Sequence, residues 1–282
     1  MIDLIQKRLE RYQPANITDE QQALREIVQE VALYGLWRAG FFEVAAFQGG
    51  TSLRILHGLP RFSEDLDFIL KKPAPDFDWQ HYLEPMLACC AEFGLRAEAQ
   101  DKSRMDQRVR KALLKDNSIA NQLDLAFQRG GVQQSLKIKL EVDVNPPACS
   151  GFGFTYLDFP LDCEICHQDL ASNFALKIHA LLCRPYLKGR DWFDFAWYAS
   201  QHTQPNLPHL QAALQQWGPW QGQAIHVDTI WLRNALQDKI NTVDWEKAAQ
   251  DVERFLNPAG RESLRLWSPQ FFIHKLDSVV GV

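Results

Sequence analysis

Two aspartates, Asp65 and Asp67, begin the apolar stretch 65–70, which reads DLDFIL. In a β-strand, residues i and i+2 point to the same face, so both carboxylates share one face while Leu66 and Phe68 point to the other. Neighbouring like charges repel each other, and a divalent cation removes that repulsion, since carboxylate oxygens are the hard ligands that Mg²⁺ prefers. The pattern predicts a strand with a metal-binding face. The alternative is a solvent-exposed acidic edge, which the apolar neighbours disfavour.

A pair of glycines precedes this strand. Gly49 and Gly50 lie between a predicted strand at 42–47 and a predicted helix at 51–57. Two glycines allow a sharp turn and a close approach of the backbone to a ligand, and the N-terminus of the following helix favours a phosphate group. The glycine pair alone is weak support for a phosphate site, because an ordinary tight connection between a strand and a helix has the same composition.

A third carboxylate is expected from another strand. The segment 135–144 reads SLKIKLEVDV and alternates between polar and apolar residues, which predicts a half-buried strand. Glu141 or Asp143 could complete a metal triad, and Lys139 could contact phosphate. An ordinary strand with a solvated polar face is the alternative for this segment.

A lysine in an apolar helix is the fourth feature. Lys177 lies among apolar neighbours in a predicted helix, so its ammonium requires a partner. Asp191 and Asp194 are three residues apart and therefore share one helix face, where either can pair with Lys177. Two interpretations stay open: a structural tie between two helices, or a cation directed at a triphosphate.

The remaining pattern predicts the fold class. Residues 18–38 read as a helix with Thr18 as its N-cap, and 78–93 reads as another. Two shorter segments, 95–100 and 121–127, read as strands. The region 145–167 contains Pro, Gly and Cys and reads as a loop with one strand at 154–159. From residue 168 onward the pattern is helical, with helices at 168–184, 191–201, 207–217, 223–240 and 243–255. We therefore predict an α+β domain over 1–165 and a helical domain over 166–282.

Composition restricts the class of function. The formal net charge is -5, so nucleic-acid contact is expected only at a local patch. The candidate patch is a basic cluster that consists of Arg104, Arg108, Arg110, Lys111 and Lys115. The alternative is that these residues form a solvated helix face near Asp106 and Asp116. Seven tryptophans follow residue 190, and we expect most in the core, with one or two able to stack on a base. No signal peptide or membrane span is predicted, which favours a cytoplasmic protein.

The segment 48–70, QGGTSLRILHGLPRFSEDLDFIL, resembles the signature of AbiEii/MenT-type nucleotidyltransferases, the toxins of bacterial toxin–antitoxin and phage-defence systems. The matching positions are Gly49, Gly50, Thr51, Leu53, Arg54, Arg61, Ser63, Asp65, Leu66, Asp67 and Phe68. Later elements also match, namely Lys139 with Glu141, the helix lysine Lys177, and Arg190 with Asp191 and Asp194. The resemblance spans roughly residues 40–200.

The resemblance implies a polymerase-beta-like nucleotidyltransferase core with a mixed sheet, followed by the helical domain. It also implies transfer of a nucleotide from an NTP with Mg²⁺ or Mn²⁺, an acceptor such as the 3′ end of tRNA or another RNA, and a cognate antitoxin. The residues it assigns to catalysis are Asp65, Asp67, Glu141 and Lys177, the first three as metal ligands. Those it assigns to substrate and cofactor binding are Gly49, Gly50, Thr51, Ser52, Arg54, Ser63, Lys139, Asp191 and Asp194.

Two rival functions stay open beside this one. The chain could be a catalytically silent nucleotide-binding partner protein, which the retained pair of Asp65 and Asp67 disfavours. It could also use the same core on a protein hydroxyl or a small molecule. The sequence fixes neither the nucleotide base nor the acceptor, and 205–282 carries no motif.

Overall fold

The computed structural model describes residues 1–104, 107–127 and 135–281. The chain divides into two compact units, each assembled from separate stretches of sequence. The first contains 1–57, 62–146 and 153–167, and the second contains 58–61, 147–152 and 168–282. The first unit holds the sheet, and the second is helical.

One seven-stranded sheet forms in the described part of the chain. Its strands are β1 (Ala45–Gln48), β2 (Leu66–Leu70), β3 (Ala97–Asp101), β4 (Val109–Asp116), β5 (Leu136–Asp143), β6 (Phe152–Leu157) and β7 (Cys163–Gln168). The spatial order is β3-β4-β5-β2-β1-β7-β6. Strand β2 pairs antiparallel with β1 and parallel with β5. The sheet is therefore mixed, in agreement with the predicted fold.

The strand predictions at 42–47, 65–70 and 135–144 are confirmed within a few residues. The strand predicted at 121–127 is wrong, because a short 3₁₀ turn at Ile119–Asn121 follows β4 and leads into non-strand residues. Asp116 fixes this turn by accepting hydrogen bonds from the backbone N–H groups of Ser118 and Ile119 at 2.9 and 2.7 Å. Within the loop predicted at 145–167, the strand predicted at 154–159 is present as β6. Strand β7 also lies there and was not predicted.

Among its described residues, the first unit has four α-helices: α1 (Ile2–Tyr12), α2 (Ile17–Arg38), α3 (Gly49–His57) and α4 (Gln80–Glu92). Helix α2 begins one residue after Asn16, whose side-chain oxygen accepts from the N–H groups of Thr18 and Asp19 at 2.9 and 3.0 Å. The predicted N-cap, Thr18, was thus two residues late. Helix α2 packs against α4 with Gly35 at the contact, where an added Cβ would lie 3.0 Å from Met86.

Seven helices belong to the second unit in the described range 168–281. They are α5 (Leu170–Cys183), α6 (Gly189–Ser200), α7 (Leu207–Gln216), α8 (Thr229–Thr242), α9 (Trp245–Glu253), α10 (Pro258–Ser263) and α11 (Pro269–Val280). Aromatic rings pack between several of them: Trp245 stacks on Phe272 at 4.1 Å, and Trp192 meets Phe272 edge-on at 5.3 Å. Trp192 is buried in the core of the unit, and Trp245 is half-buried beside it. The expectation that most of the seven late tryptophans lie in the core is wrong, because Trp192 is the only buried one among these seven described residues. None of the helices in the described ranges has the length and apolar character needed to cross a bilayer.

Candidate active site

Two carboxylates lie side by side on the sheet. Asp67 of β2 and Glu141 of β5 are direct partners in the parallel pairing. Neighbouring strands run about 4.8 Å apart, and partners across a pair point to the same face. Both side chains are half-buried, and the ammonium of Lys111 lies 3.1 Å from Glu141 Oε1. The strand pairing thus brings together two of the three predicted metal ligands.

Gly49 lies directly against the carboxylate of Asp67. A Cβ added at Gly49 would sit 2.7 Å from Asp67 Oδ2, closer than real Cβ atoms come. The backbone at Gly49 also has a φ of +76°, which residues with a side chain rarely adopt. The glycine turn was predicted to approach a phosphate; its first glycine leaves room for a carboxylate. Gly50 lies in the first turn of α3, and its predicted contact with phosphate stays a prediction.

The two hydroxyls after the glycines stabilise the turn. Thr51 is fully buried, and its hydroxyl donates a hydrogen bond to the backbone carbonyl of Asp65. The hydroxyl of Ser52 donates to the carbonyl of Gly49 at 3.2 Å. Thr51 therefore ties the start of α3 to the residue before β2. The predicted phosphate contacts of Thr51 and Ser52 stay predictions.

Two other predicted binding residues have structural partners. Arg54 Nε donates to Glu26 Oε2 at 2.8 Å, and its guanidinium lies 4.5 Å from the ring centre of Phe62. The carbonyl of Ser63 accepts from the side-chain amide of Gln29 at 3.2 Å. These contacts hold the segment before β2 against α2. A role for Arg54 and Ser63 in substrate binding stays a prediction.

The carboxylates suit magnesium in their chemistry. Among the described residues, no three Asp, Glu, His or Cys side chains converge into a complete metal-binding group. Mg²⁺ is commonly held by one or two carboxylates, with water and substrate phosphates completing its shell. The neighbouring oxygens of Asp67 and Glu141 fit that mode, with Asp65 one residue before β2.

A buried charge network lies in the second unit. The ammonium of Lys177 is 2.8 Å from Asp191 Oδ1 and 2.8 Å from Asp194 Oδ2. Arg61 donates two hydrogen bonds of 2.7 Å to the two oxygens of Asp194, and Arg184 donates to Asp191. Three cations thus surround two carboxylates, and both predicted partners of Lys177 are confirmed at once.

The network sets the protonation of its members. Burial alone would raise the pKa of Asp191, but the charges of Lys177 and Arg184 lower it to about 2. Burial likewise opposes ionisation of Asp194, yet Arg61 and Lys177 hold its pKa below the usual value. Burial alone would lower the pKa of Lys177, but the charges of Asp191 and Asp194 raise it above its ordinary value. All three side chains are therefore charged at neutral pH.

The family model of the nucleotidyl transferase AbiEii toxin, type IV toxin–antitoxin system, matches residues 31–274 of this chain. The chain belongs to the AbiEii family. The match covers the glycine turn, both carboxylate strands and the lysine network, and it extends beyond the motifs visible in the sequence.

One solved structure gives the fold of this AbiEii protein a second line of support. JHP933 from Helicobacter pylori aligns over 93% of this chain and 90% of its own, with 16% identity and a TM-score of 0.53. A proposed nucleotidyltransferase from H. pylori aligns over 90% and 92%, with 15% identity and a TM-score of 0.48. Together with the family match, the first likeness confirms the predicted nucleotidyltransferase fold class. No curated protein matches the chain.

Arg61 is the residue of the charge network in the second unit whose structural role the sequence did not reveal. It is 2% exposed and holds Asp194 through two parallel hydrogen bonds. The residue was present in the matched motif, but charge pairing over 133 positions leaves no local pattern. The sequence shows an arginine in a stretch that otherwise resembles a turn. If that arginine is buried, its charge requires a carboxylate partner.

The structure separates the predicted basic cluster into different environments. Arg110 is 1% exposed and donates to the carbonyls of Arg104 and Pro75 at 2.8 and 2.6 Å. Arg108 pairs with Asp143 at 2.8 Å. The alternative of a solvated helix face is wrong, because 109–116 is strand β4, and Asp106 lies outside the described residues.

Proposed function

We propose that this AbiEii protein transfers a nucleotide from an NTP to an acceptor hydroxyl in a magnesium-dependent reaction. The observation that carries the proposal is the register of Asp67 against Glu141, with Gly49 packed on the Asp67 carboxylate. A paired set of carboxylates beside a glycine turn and a helix N-terminus suits a triphosphate and its metal. The family match supports the reaction class.

The chain's own residues position the reactants. Asp65, Asp67 and Glu141 would hold a bound magnesium ion and so orient the triphosphate, while Thr51 fixes the backbone at Asp65 and Gly49 leaves room for Asp67. The acceptor hydroxyl attacks the α-phosphorus, a carboxylate on this face accepts its proton, and pyrophosphate leaves with the bridging oxygen. A magnesium ion held by these carboxylates would neutralise the negative charge that develops on the phosphate oxygens. The protein contributes positioning and electrostatic stabilisation.

The charge network of the second unit supports an anionic substrate. Arg61, Lys177 and Arg184 carry one more charge than Asp191 and Asp194 neutralise. Such a surplus attracts phosphate oxygens. We therefore propose that Lys177, Asp191 and Asp194 take part in substrate binding. The ion pairs of Lys177 with the two aspartates fix the position of its ammonium.

The acceptor in this proposal is RNA, and a lysine-bearing face of the sheet supports it. Lys115 of β4 and Lys137 of β5 are direct partners across the antiparallel pairing, so their side chains share one face. Lys139 follows on the same face and leads to Glu141. Glu98 of β3 lies opposite Lys115 and offsets part of this charge. Opposed lysines repel each other, and a phosphate backbone would relieve that repulsion.

A labelling assay tests the reaction and the acceptor together. The purified protein is incubated with each α-labelled NTP, MgCl₂, total RNA and total protein, and a parallel sample contains EDTA. We expect label in the RNA pool with magnesium and none with EDTA. Label in the protein pool instead would support the rival acceptor, and no labelled pool with any NTP would support the catalytically silent alternative.

Matched variants test the RNA face in the same assay. Lys115→Gln with Lys137→Gln should weaken RNA binding and reduce its dependence on salt, since each lost phosphate contact removes one released counterion. Lys72→Gln is the control, because Lys72 is an exposed lysine that follows β2. If the double variant and the control bind RNA equally well and with the same dependence on salt, this face of the sheet does not bind RNA.

The name of the family places it in type IV toxin–antitoxin systems. This supports the further proposal that a cognate antitoxin accompanies the protein in the cell.

A further inference from the structure

A cavity of about 290 Å³ lies within the second unit. It is bounded by the end of α5, the connection from α5 to α6, and the connection from α8 to α9. Tyr186 stands at its wall with 65% of its surface exposed, and the guanidinium of Arg184 lies 5.3 Å from the Tyr186 ring centre. Trp192, which is buried, forms another part of the wall. This volume is near the lower end of ligand pockets and suits a compact group.

The wall carries more positive than negative charge. Its basic residues are Arg184, Lys188, Lys239 and Lys247, and its acidic residues are Asp191 and Asp244. A wall with four cations and two carboxylates has a formal surplus of two positive charges.

Existing ion pairs account for both carboxylates. Asp191 is bonded by Arg184 and by Lys177, and Asp244 lies 2.9 Å from the ammonium of Lys247. Lys188 and Lys239 form no hydrogen bond through their ammonium groups, and no ion pair within 4 Å, with any residue in the described ranges. The surplus charge of the cavity is therefore located on these two lysines.

Lys188 is half-buried at the start of α6. Burial lowers its pKa, and the attraction of Asp191 only partly opposes this effect. A cation withdrawn from water without a close partner is unfavourable. Lys188 is held there by the turn that begins α6, because Gly189 packs against the backbone of Ala248 and its N–H donates to Asp251 at 2.8 Å.

We propose that this cavity binds a phosphoryl group through Lys188 and Lys239. The group could belong to a nucleotide or to an RNA backbone, and its oxygens would accept hydrogen bonds from both ammonium groups. Charge-assisted bonds to phosphate are among the stronger polar contacts. The proposal deepens the proposed function by adding an anion site to the transferase, and it rests on that function only in the choice of ligand.

The test is calorimetric titration of the full chain with inorganic pyrophosphate in buffer containing EDTA. We expect Lys188→Gln and Lys239→Gln each to weaken pyrophosphate binding by about tenfold or more. Lys275→Gln is the matched control, because Lys275 lies on α11 of the same unit and donates only to Ser200 in the described chain. Its affinity should equal that of the unsubstituted protein.

A variant of the carboxylate strand separates this proposal from the proposed function. Without metal, Asp67 repels an anion, so Asp67→Asn should leave pyrophosphate affinity unchanged or raise it. Affinity lost in Asp67→Asn but unchanged in both lysine variants would overturn the cavity site, as would undetectable pyrophosphate binding. Thermal melts without ligand confirm folding, and removing the poorly paired Lys188 charge should not lower Tm.

Two competitors identify the source of the phosphoryl group. ATP and a single-stranded octauridylate with a 5′-hydroxyl are each titrated into the protein saturated with pyrophosphate. Displacement by ATP alone supports a nucleotide, and displacement by the RNA supports the backbone. A failure of both competitors would contradict the site, since neither source could then occupy it.

Discussion

The position of one carboxylate depends on one small residue. Gly49 adopts a left-handed backbone conformation and leaves the space that Asp67 Oδ2 occupies. The sequence showed that the glycine pair and the aspartate pair belonged together, but it assigned Gly49 to phosphate. The contact between them depends on the pairing of β1 with β2, which brings Gln48 opposite Asp67. No local pattern reports such a distance.

Gly49→Ala tests this dependence. The added methyl group displaces the Asp67 carboxylate, and we expect a loss of transfer rate of about a hundredfold, as for an ångström-scale misplacement of a catalytic group. The strained backbone should also lower the free energy of unfolding by about 1–3 kcal/mol. Initial rates and denaturant melts measure the two effects.

Gly58→Ala is its control. Gly58 also has a positive φ, of +73°, but an added Cβ there would meet nothing within 4 Å. It should therefore cost similar stability and keep the transfer rate. Equal loss of rate in both variants would show that backbone strain, and not the displaced carboxylate, lowers activity.

At the scale of elements, strands with clean alternation were predictable and charged ones were not. Strand β5 alternates fully and was predicted almost to the residue, whereas β4 reads VRKALLKD and was taken as a basic cluster. Its buried positions include Arg110 and Asp116, whose charges are satisfied by backbone partners. Pattern reasoning treats charged residues as exposed, so it could not recognise this strand.

Helices α5 and α6 are joined by the Lys177 network, and Lys177→Met tests how firmly. The substitution keeps the apolar stem but removes the ammonium between Asp191 and Asp194, leaving each carboxylate one cation poorer. We expect the free energy of unfolding to fall by about 3 kcal/mol. Denaturant titration at pH 7 measures it.

Lys275→Met is the comparison for this substitution. Lys275 makes an exposed hydrogen bond to Ser200, and its ammonium lies 5.6 Å from the ring centre of Phe271. Both contacts are weak, so the stability of this variant should stay within about 0.5 kcal/mol of the unsubstituted protein. If Lys177→Met were as stable as Lys275→Met, the network would not tie the two helices together.

At the scale of the whole molecule, the sequence predicted an α+β core with a mixed sheet, and the structure and the family match confirm that class. The order of the strands could not be predicted from the sequence, because β5 pairs with β2 although about seventy residues of chain separate them. The candidate site was predictable in its composition, since Asp67 and Glu141 belong to recognisable motifs. Its geometry was not, because the contact of Gly49 with Asp67 arises only in the assembled fold. The pairing of Arg61 with Asp194 within the second unit is likewise invisible in the sequence.

The central claim is that Asp67 belongs to the reaction, and not merely to a charged sheet face. Its most direct test compares transfer rates of Asp67→Asn and Asp143→Asn with the unsubstituted protein. Asp143 lies on β5 two residues after Glu141 and pairs with Arg108, so it serves as the matched acidic control. We predict that Asp67→Asn folds normally and loses at least about a hundredfold in rate, while Asp143→Asn stays near the unsubstituted rate. An Asp67→Asn protein that transfers nucleotides as fast as Asp143→Asn would contradict the account.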